Sequence, residues 1–122
     1  MKPCAIVILN WNGVSFLKQY LPVLKNRTSE LLANIYVIDN DSSDDSVHFL
    51  REHYANVKLI QNKKNLGFAG GYNEGLKNIQ EPILCLINSD IEVTDHWLEP
   101  ILNHFNQYAN VASIQPKILD LK

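Results

Sequence analysis

The stretch "NIYVIDNDSSDDSVHFLREHYANVKLIQ", residues 34–61, contains one complete strand–helix–strand unit. Residues 34–39 are mostly β-branched or aromatic and end at an aspartate, which is typical of a buried strand. Residues 44–54 begin with two aspartates, which suit the positive end of a helix dipole, and continue as an amphipathic helix. Residues 56–61 form a second apolar run. This spacing predicts two parallel strands joined by a right-handed crossover.

The same alternation extends along the rest of the chain. We predict further strands at 4–9, 83–88 and 111–115, and further helices at 14–26, 67–80 and 95–108, the last capped by Asp95. The run 83–88 has hardly a polar residue, so we expect that strand to be central and covered on both faces. The pattern predicts a single α/β domain over 1–122 with an open, mostly parallel, Rossmann-like sheet and helices on both faces.

Composition excludes several classes of protein. The formal net charge is −2, which gives no electrostatic reason to expect nucleic acid or an anionic membrane surface as partner. The apolar run 4–9 is too short for a signal peptide core or a membrane span. Cys4 and Cys85 lie inside apolar runs, away from other cysteines or histidines at ligand spacing. They indicate reduced, buried thiols in a cytoplasmic protein.

Polar residues follow each of the first four predicted strands, at 10–13, 39–43, 62–71 and 88–90. In an open parallel sheet this edge binds ligands. An aspartate such as Asp39 can accept a hydrogen bond from a base or a ribose, and Asp90 can hold a divalent cation on a diphosphate. A glycine-rich turn that opens a helix suits a phosphate. These features together predict a nucleotide site, although Asp39 and Asp90 could also be ordinary turn residues.

Neither of the common nucleotide-binding motifs is present. The first turn reads "LNWNG", without the G-x-G-x-x-G of dinucleotide-binding folds, and no Walker sequence occurs in the chain. A different kind of nucleotide-binding protein is therefore expected.

Four sequence blocks carry a family resemblance: "VILNWNG" (7–13), "VIDNDSSDDS" (37–46), "NLGFAGGYNEGL" (65–76) and "LINSDIEV" (86–93). In this order and spacing they resemble the N-terminal half of the family 2 inverting glycosyltransferases, which have the GT-A fold. They look most like the bacterial branch that includes rhamnosyltransferases of surface polysaccharide synthesis. The resemblance implies transfer of a sugar from a UDP- or dTDP-sugar to a saccharide or lipid-linked acceptor.

The resemblance also implies roles for individual residues. Asp39 would bind a uracil or thymine base, and Asp90 would bind the divalent cation, Mn or Mg. Further nucleotide contacts are implied for Asn10, Asn12, Gly67, Gly70, Asn73 and Asn88. Trp11 would either stack on the base or pack the loop. Glu92 and Asp95 are expected to be solvated or capping residues.

Two positions depart from the family pattern. Asn88 occupies the first position of the DXD motif, and Tyr72 stands where many members have an arginine. Asn88 contributes less charge to a cation than aspartate would, and with Tyr72 a cationic contact to the nucleotide is either missing or supplied from elsewhere.

The resemblance places the acceptor base, an aspartate or glutamate, in an acceptor-binding half expected beyond Lys122. The chain is therefore expected to be a truncated donor half, inactive alone, and cytoplasmic or peripheral at the inner membrane face. We also expect exposed apolar residues around 111–121 and a homo-oligomer. The alternative is a non-catalytic nucleotide-sugar-binding module or an inactive fragment.

Overall fold

Four parallel strands form one sheet in the computed structural model, which describes residues 1–120; residues 121 and 122 lie outside it. The strands are β1 (Cys4–Asn10), β2 (Ala33–Asp39), β3 (Lys58–Gln61) and β4 (Ile83–Leu86), in the spatial order β3-β2-β1-β4. The helices are α1 (Val14–Asn26), α2 (Ser46–His53), α3 (Gly67–Gly75) and α4 (Leu98–Gln107), and a 3₁₀ turn (Leu76–Asn78) follows α3. The predicted α/β class with a parallel sheet is confirmed.

The strand register brings the polar strand ends together. Asn10, the last residue of β1, lies opposite Asp39, the last residue of β2. Asp39 in turn lies opposite Gln61, the last residue of β3. Three neighbouring strands therefore end at one level of the sheet, so the loops that follow them share a single edge.

Helices cover both faces of the sheet, as predicted. Side chains along a strand alternate between faces, and Ile6 and Ile8 of β1 pack with Leu17 of α1, Leu50 of α2 and Leu98 of α4. On the other face, β1 and β2 pack against α3, whose Tyr72 is buried there. Within the described residues, 1–120, no helix is both long and apolar enough to cross a membrane.

Two glycines let α3 approach the sheet closely. A Cβ atom on Gly71 would lie 2.9 Å from Leu9 Cδ1, and one on Gly75 would lie 2.3 Å from Ile38 Cδ1. Both distances are shorter than van der Waals contact, so a larger residue at either position would displace a neighbouring side chain. The close packing fixes α3 so that its N-terminus lies at the edge where β2 and β3 end.

The prediction that residues 83–88 form a central strand is wrong, because β4 lies at the edge of the sheet. Ile83 and Cys85 pack against the larger core, whereas Leu84 and Leu86 are 45% and 52% exposed. These leucines are on the α3 face, where α3 covers only the neighbouring strands. A continuous apolar run therefore does not by itself distinguish a central strand from a half-covered edge strand.

Two further predictions near the C-terminus are wrong. Residues 111–115 form no strand, because the segment pairs with none of the sheet strands and β propensity alone does not hold a strand. Helix α4 begins at Leu98 and not at residue 95, and no side chain caps it. Asp95 instead lies 3.6 Å from the Nε atom of Arg27.

The expected exposure of apolar residues around 111–121 is found at Ile118 and Leu119.

The two cysteines are free thiols, Cys4 buried and Cys85 half-buried. Burial raises the pKa of Cys4 to about 12 and the pKa of Cys85 to about 11. Both thiols are therefore protonated at neutral pH and lack the thiolate character of a nucleophilic cysteine.

We predict that Gly75→Ala destabilises the fold by about 1–3 kcal/mol, the usual cost of overpacking a core. The added methyl group would overlap the buried side chain of Ile38. Gly70→Ala is the control in the same helix, because a Cβ atom there would approach only Leu66 Cβ, at 3.1 Å, and no residue of the sheet. Urea unfolding of both variants measures the effect, and equal stability of the two would contradict the close packing of α3.

Candidate functional site

The loops at the carboxyl edge are held together by backbone hydrogen bonds that continue beyond the strands. The backbone N–H of Asn40 donates to the carbonyl of Asn10 at 2.8 Å, and that of Asn62 donates to the carbonyl of Asp39 at 2.9 Å. The loops after β1, β2 and β3 therefore begin in register with one another.

Asp39 is a buried carboxylate, 2% exposed, at the centre of this edge. Its Oδ1 atom accepts hydrogen bonds from Ser42 Oγ at 2.7 Å and from Asn10 Nδ2 at 3.0 Å. Its Oδ2 atom accepts one from the backbone N–H of Ser42 at 2.9 Å. A carboxylate has about four acceptor positions, so Oδ2 can still accept a further bond. Asp39 thus forms the turn expected of an aspartate and also retains an acceptor for a ligand.

Asn10 presents a second acceptor beside Asp39. Its Nδ2 group donates to Asp39, but within residues 1–120 no donor reaches its Oδ1 atom, and the residue is only 1% exposed. A Cβ atom on Gly13 would lie 2.6 Å from this oxygen, so Gly13 leaves room for the amide. Buried polar atoms without partners are uncommon and often mark a functional position.

Asn12 joins the loop after β1 to the loop after β2. It has a left-handed backbone, with φ at 50°, and its Oδ1 atom accepts hydrogen bonds from the backbone N–H groups of Ser43 at 2.7 Å and Asp44 at 3.2 Å. The side-chain oxygen of Asn12 is therefore used in a contact between loops. Trp11, the preceding residue, is 56% exposed, so part of its ring is open to a stacking partner.

Asn40 is a buried residue for which the sequence predicted no role. Its Nδ2 group donates to Asn65 Oδ1 and to the Gly67 carbonyl, both at 3.0 Å. Its Oδ1 atom accepts from Asn62 Nδ2 at 3.1 Å and from the Leu66 N–H at 3.2 Å. Because Asn40 follows Asp39 directly, side-chain alternation directs it to the other side of the strand. Alternation predicts the side of the sheet on which Asn40 lies, whereas its partners depend on the geometry of the glycine-rich turn.

The glycine-rich turn places the N-terminus of α3 at the same edge. Gly67 has φ at +76°, which favours glycine, and its N–H donates to Asn65 Oδ1 at 2.8 Å. Asn73 is exposed on α3. Tyr72, which stands where many family members have arginine, is buried in the smaller core and meets Phe68 edge to face. Tyr72 therefore has a packing role and adds no cation to the site.

Residues 88–90 form an exposed turn after β4. The Ile91 N–H donates to the Asn88 carbonyl at 3.4 Å, and the side chains of Asn88 and Asp90 are exposed. Ser89 Oγ would lie 3.8 Å from a Cβ atom on Gly13, so the turn lies beside the loop after β1. Asp90 and the nucleotide-binding candidates are therefore at the same edge.

The arrangement around Asp90 suits a weakly held cation. Among the residues that the structure describes, no group of three or more His, Cys, Asp or Glu side chains could form a complete metal site. Magnesium and manganese sites on nucleotides often use one or two carboxylates, with water and phosphate as the remaining ligands. Asp90, with the amide oxygen of Asn88 nearby in sequence, fits such a site.

Asp44 fixes the starts of two helices near the site. Its Oδ2 atom accepts from the Val14 N–H of α1 at 3.1 Å, and its Oδ1 atom accepts from the Ser46 N–H of α2 at 2.9 Å. Burial raises the pKa of Asp44, but hydrogen bonds from Ser46 and Val14 outweigh it, so the pKa lies below its ordinary value.

Residues 5–119 match the sequence model of a protein family described as "Glycosyl transferase family 2". With this match over nearly the whole domain, the chain belongs to family 2 of the glycosyltransferases.

Two curated relatives illustrate the breadth of the similarity. Polypeptide N-acetylgalactosaminyltransferase 4 of Caenorhabditis elegans is 24% identical over 123 residues, 99% of this chain and 20% of that protein. An uncharacterized glycosyltransferase of Haemophilus influenzae is 24% identical over 113 residues, 90% of this chain and 35% of that protein. The chain thus spans between 20% and 35% of the length of these relatives.

Solved structures share the fold. S. aureus TarS 1–349 in complex with UDP superposes with a TM-score of 0.76 at 18% identity, over 89% of this chain and 33% of that chain. The mannosyltransferase PcManGT from Pyrobaculum calidifontis, in complex with GDP-Man and Mn²⁺, gives a TM-score of 0.65 at 16% identity, over 72% and 27%. These similarities confirm the predicted GT-A-type fold.

We predict that Asp44→Asn lowers stability at neutral pH and has little effect in acid. A carboxyl whose pKa is lowered by folding contributes stability above its unfolded pKa of about 3.9 and loses it as the pH falls through the folded value. The stability difference between wild type and variant should therefore shrink below about pH 4. Urea midpoints from pH 7 to pH 3 measure it; a difference that stays constant would contradict the role of Asp44.

Proposed function

We propose that this domain binds the nucleotide of a UDP- or dTDP-sugar and presents the sugar for inverting transfer to an acceptor hydroxyl. The observation that carries the proposal is the pair of buried acceptors, Asp39 and Asn10 Oδ1, at the edge where α3 begins and where Asp90 lies. Two acceptors with remaining capacity at this edge favour a ligand that presents hydrogen-bond donors.

The base that fits these two acceptors is one with an imide N–H. Uracil and thymine each present an N–H between two carbonyl groups, whereas cytosine has an acceptor nitrogen at that position. Trp11 is exposed beside Asn10 and would supply a stacking surface. The complexes of TarS with UDP and UDP-GlcNAc, and of PcManGT with GDP-Man, support a nucleotide-sugar donor.

The diphosphate would lie between the start of α3 and the turn 88–90. The first N–H groups of a helix lack intrahelical partners and favour phosphate. Asp90 would hold a manganese or magnesium ion, with Asn88 contacting the ribose or a metal-bound water; the Mn²⁺ complex of PcManGT supports such a cation. When bound, the cation would stabilise the negative charge of the departing nucleotide diphosphate.

The acceptor side of the reaction needs a base that deprotonates the attacking hydroxyl. We propose that this base and the acceptor site belong to an acceptor-binding half distinct from residues 1–122, so that this chain alone binds the donor without transferring sugar. The larger size of the relatives supports this division. The resemblance to the rhamnosyltransferase-related branch supports a saccharide or lipid-linked acceptor in bacterial surface polysaccharide synthesis, at or near the cytoplasmic face of the membrane.

A second candidate function is nucleotide-sugar binding without turnover. The neutral Asn88 and the buried Tyr72 favour this second function. Asn88 adds no negative charge for a cation, and Tyr72 adds no positive charge for the departing diphosphate. The sequence predicted a homo-oligomer built on the apolar residues around 111–121; the exposed Leu84 and Leu86 of β4 offer a second apolar edge that would favour self-association.

We predict that Asp39→Ala weakens UDP binding by about 1.5–3 kcal/mol, the range for a hydrogen bond to a charged group. Wild-type protein should also bind uridine more tightly than cytidine, because cytidine lacks the imide N–H. Asp45→Ala is the control, since Asp45 is an exposed acid of the same loop. Calorimetry with folded variants provides the test, and unchanged UDP affinity in Asp39→Ala would refute the base assignment.

We predict that Asp90→Asn removes the manganese dependence of UDP binding while leaving the fold intact. Wild-type protein should bind UDP less tightly in the presence of a chelator, and the variant should bind equally with or without manganese. Glu92→Gln is the matched control, because Glu92 is an exposed acid two residues away. Wild-type binding that is indifferent to chelator would show that residues 88–90 are only a turn.

A further inference from the structure

We propose that Ser42 is the positioning residue of the base pocket: it orients both Asp39 and the loop that carries Trp11. This inference rests on the proposed nucleotide-binding function, in which Ser42 has no assigned role. Ser42 is half-buried and makes contact with three of the candidate ligand-binding residues, Asn10, Asn12 and Asp39.

The hydroxyl of Ser42 uses its full hydrogen-bonding capacity. It donates to Asp39 Oδ1 at 2.7 Å and accepts from the Asn12 N–H at 2.9 Å and from Asn10 Nδ2 at 3.3 Å. A serine hydroxyl has one proton and two lone pairs, so these three bonds account for all of them. Alanine, cysteine or a bulkier apolar residue would not reproduce this set.

Ser42 also holds the carboxylate of Asp39 at both oxygens. Its hydroxyl binds Oδ1, and its backbone N–H binds Oδ2 at 2.9 Å. The two bonds together oppose rotation of the carboxylate. Without the hydroxyl, Oδ1 would keep only the bond from Asn10 Nδ2, and the acceptor position left for a base would lose its fixed direction.

The same hydroxyl holds the residues on both sides of Trp11. The residues on either side of Trp11 are Asn10, which donates through its side chain, and Asn12, which donates through its backbone N–H, and both donate to Ser42 Oγ. The exposed indole is thus carried on a short loop fixed at both ends by one atom. The hydrogen-bonding and stacking parts of the pocket therefore depend on one side chain.

Ser43 provides a matched control within the same loop. Its N–H and Oγ both contact Asn12 Oδ1, at 2.7 Å and 3.4 Å, and neither is found in a hydrogen bond to Asp39 or Asn10. Ser43→Ala removes the same hydroxyl group from the neighbouring position without removing a bond to Asp39.

The experiment is a double-mutant cycle on UDP binding, measured by calorimetry on the 122-residue chain. We expect Ser42→Ala to weaken UDP binding about ten-fold and Ser43→Ala to weaken it less than about two-fold. In an Asp39→Asn background, Ser42→Ala should have a clearly smaller effect, because the two residues act together. An equal loss in both backgrounds, or an unchanged affinity, would overturn the inference.

A second pair of variants isolates the hydroxyl from side-chain size. Ser42→Thr and Ser42→Val have nearly the same shape, and only threonine keeps the hydroxyl. The Ser42→Thr variant should bind UDP several-fold more tightly than the Ser42→Val variant, with thermal unfolding used to confirm that both are folded. Equal affinities of the two variants would refute the positioning role. If wild-type protein binds neither UDP nor uridine, the proposed function fails as well, whereas normal wild-type binding with an unaffected Ser42→Ala refutes only this inference.

Discussion

A buried carboxylate must have hydrogen-bond partners, and the loops of this domain are arranged around that requirement at Asp39. Burying an unpaired charge costs far more than a typical stabilising contact gains. The side chains of Asn10, at the end of β1, and of Ser42, in the loop after β2, provide those partners. Because the two partners come from different parts of the chain, the bonds that stabilise the carboxylate also fix the shape of the proposed base pocket.

Much of the architecture could be predicted from local sequence. The β1 and β2 strands are long, β-branched and backed by helices on both sides of the sheet, so period, composition and burial agree there. The prediction failed where these signals diverge. The apolar residues of 83–88 indicated a covered central strand, and those of 111–115 indicated a strand. Coverage and strand pairing depend on elements distant in sequence, and a short apolar run contains no information about them.

The position of the candidate site could be predicted from the sequence, but its hydrogen-bond network could not. Register placed Asn10 beside Asp39, as the strand ends suggested. The roles of Asn40, Ser42 and Asp44 depend on turn geometry that brings backbone N–H groups towards particular side-chain oxygens. Small polar residues in a loop are expected in any turn, so composition could not separate these three from their neighbours. Asn12 shows the reverse case: the sequence suggested a ligand contact, and its side-chain oxygen faces another loop.

The close packing of α3 on the sheet connects the core to the residues of the candidate site. Gly71 lies between Leu9, a sheet residue, and Asn40, which holds the glycine-rich turn, and a Cβ atom there would come within 2.9 Å of both. An alanine at 71 would therefore displace the asparagine as well as the leucine. Positions 71 and 40 should consequently covary among relatives of this chain: a larger residue at 71 requires a smaller or differently bonded one at 40. The close packing of one helix on the sheet would in this way limit which residues the proposed donor pocket can accept.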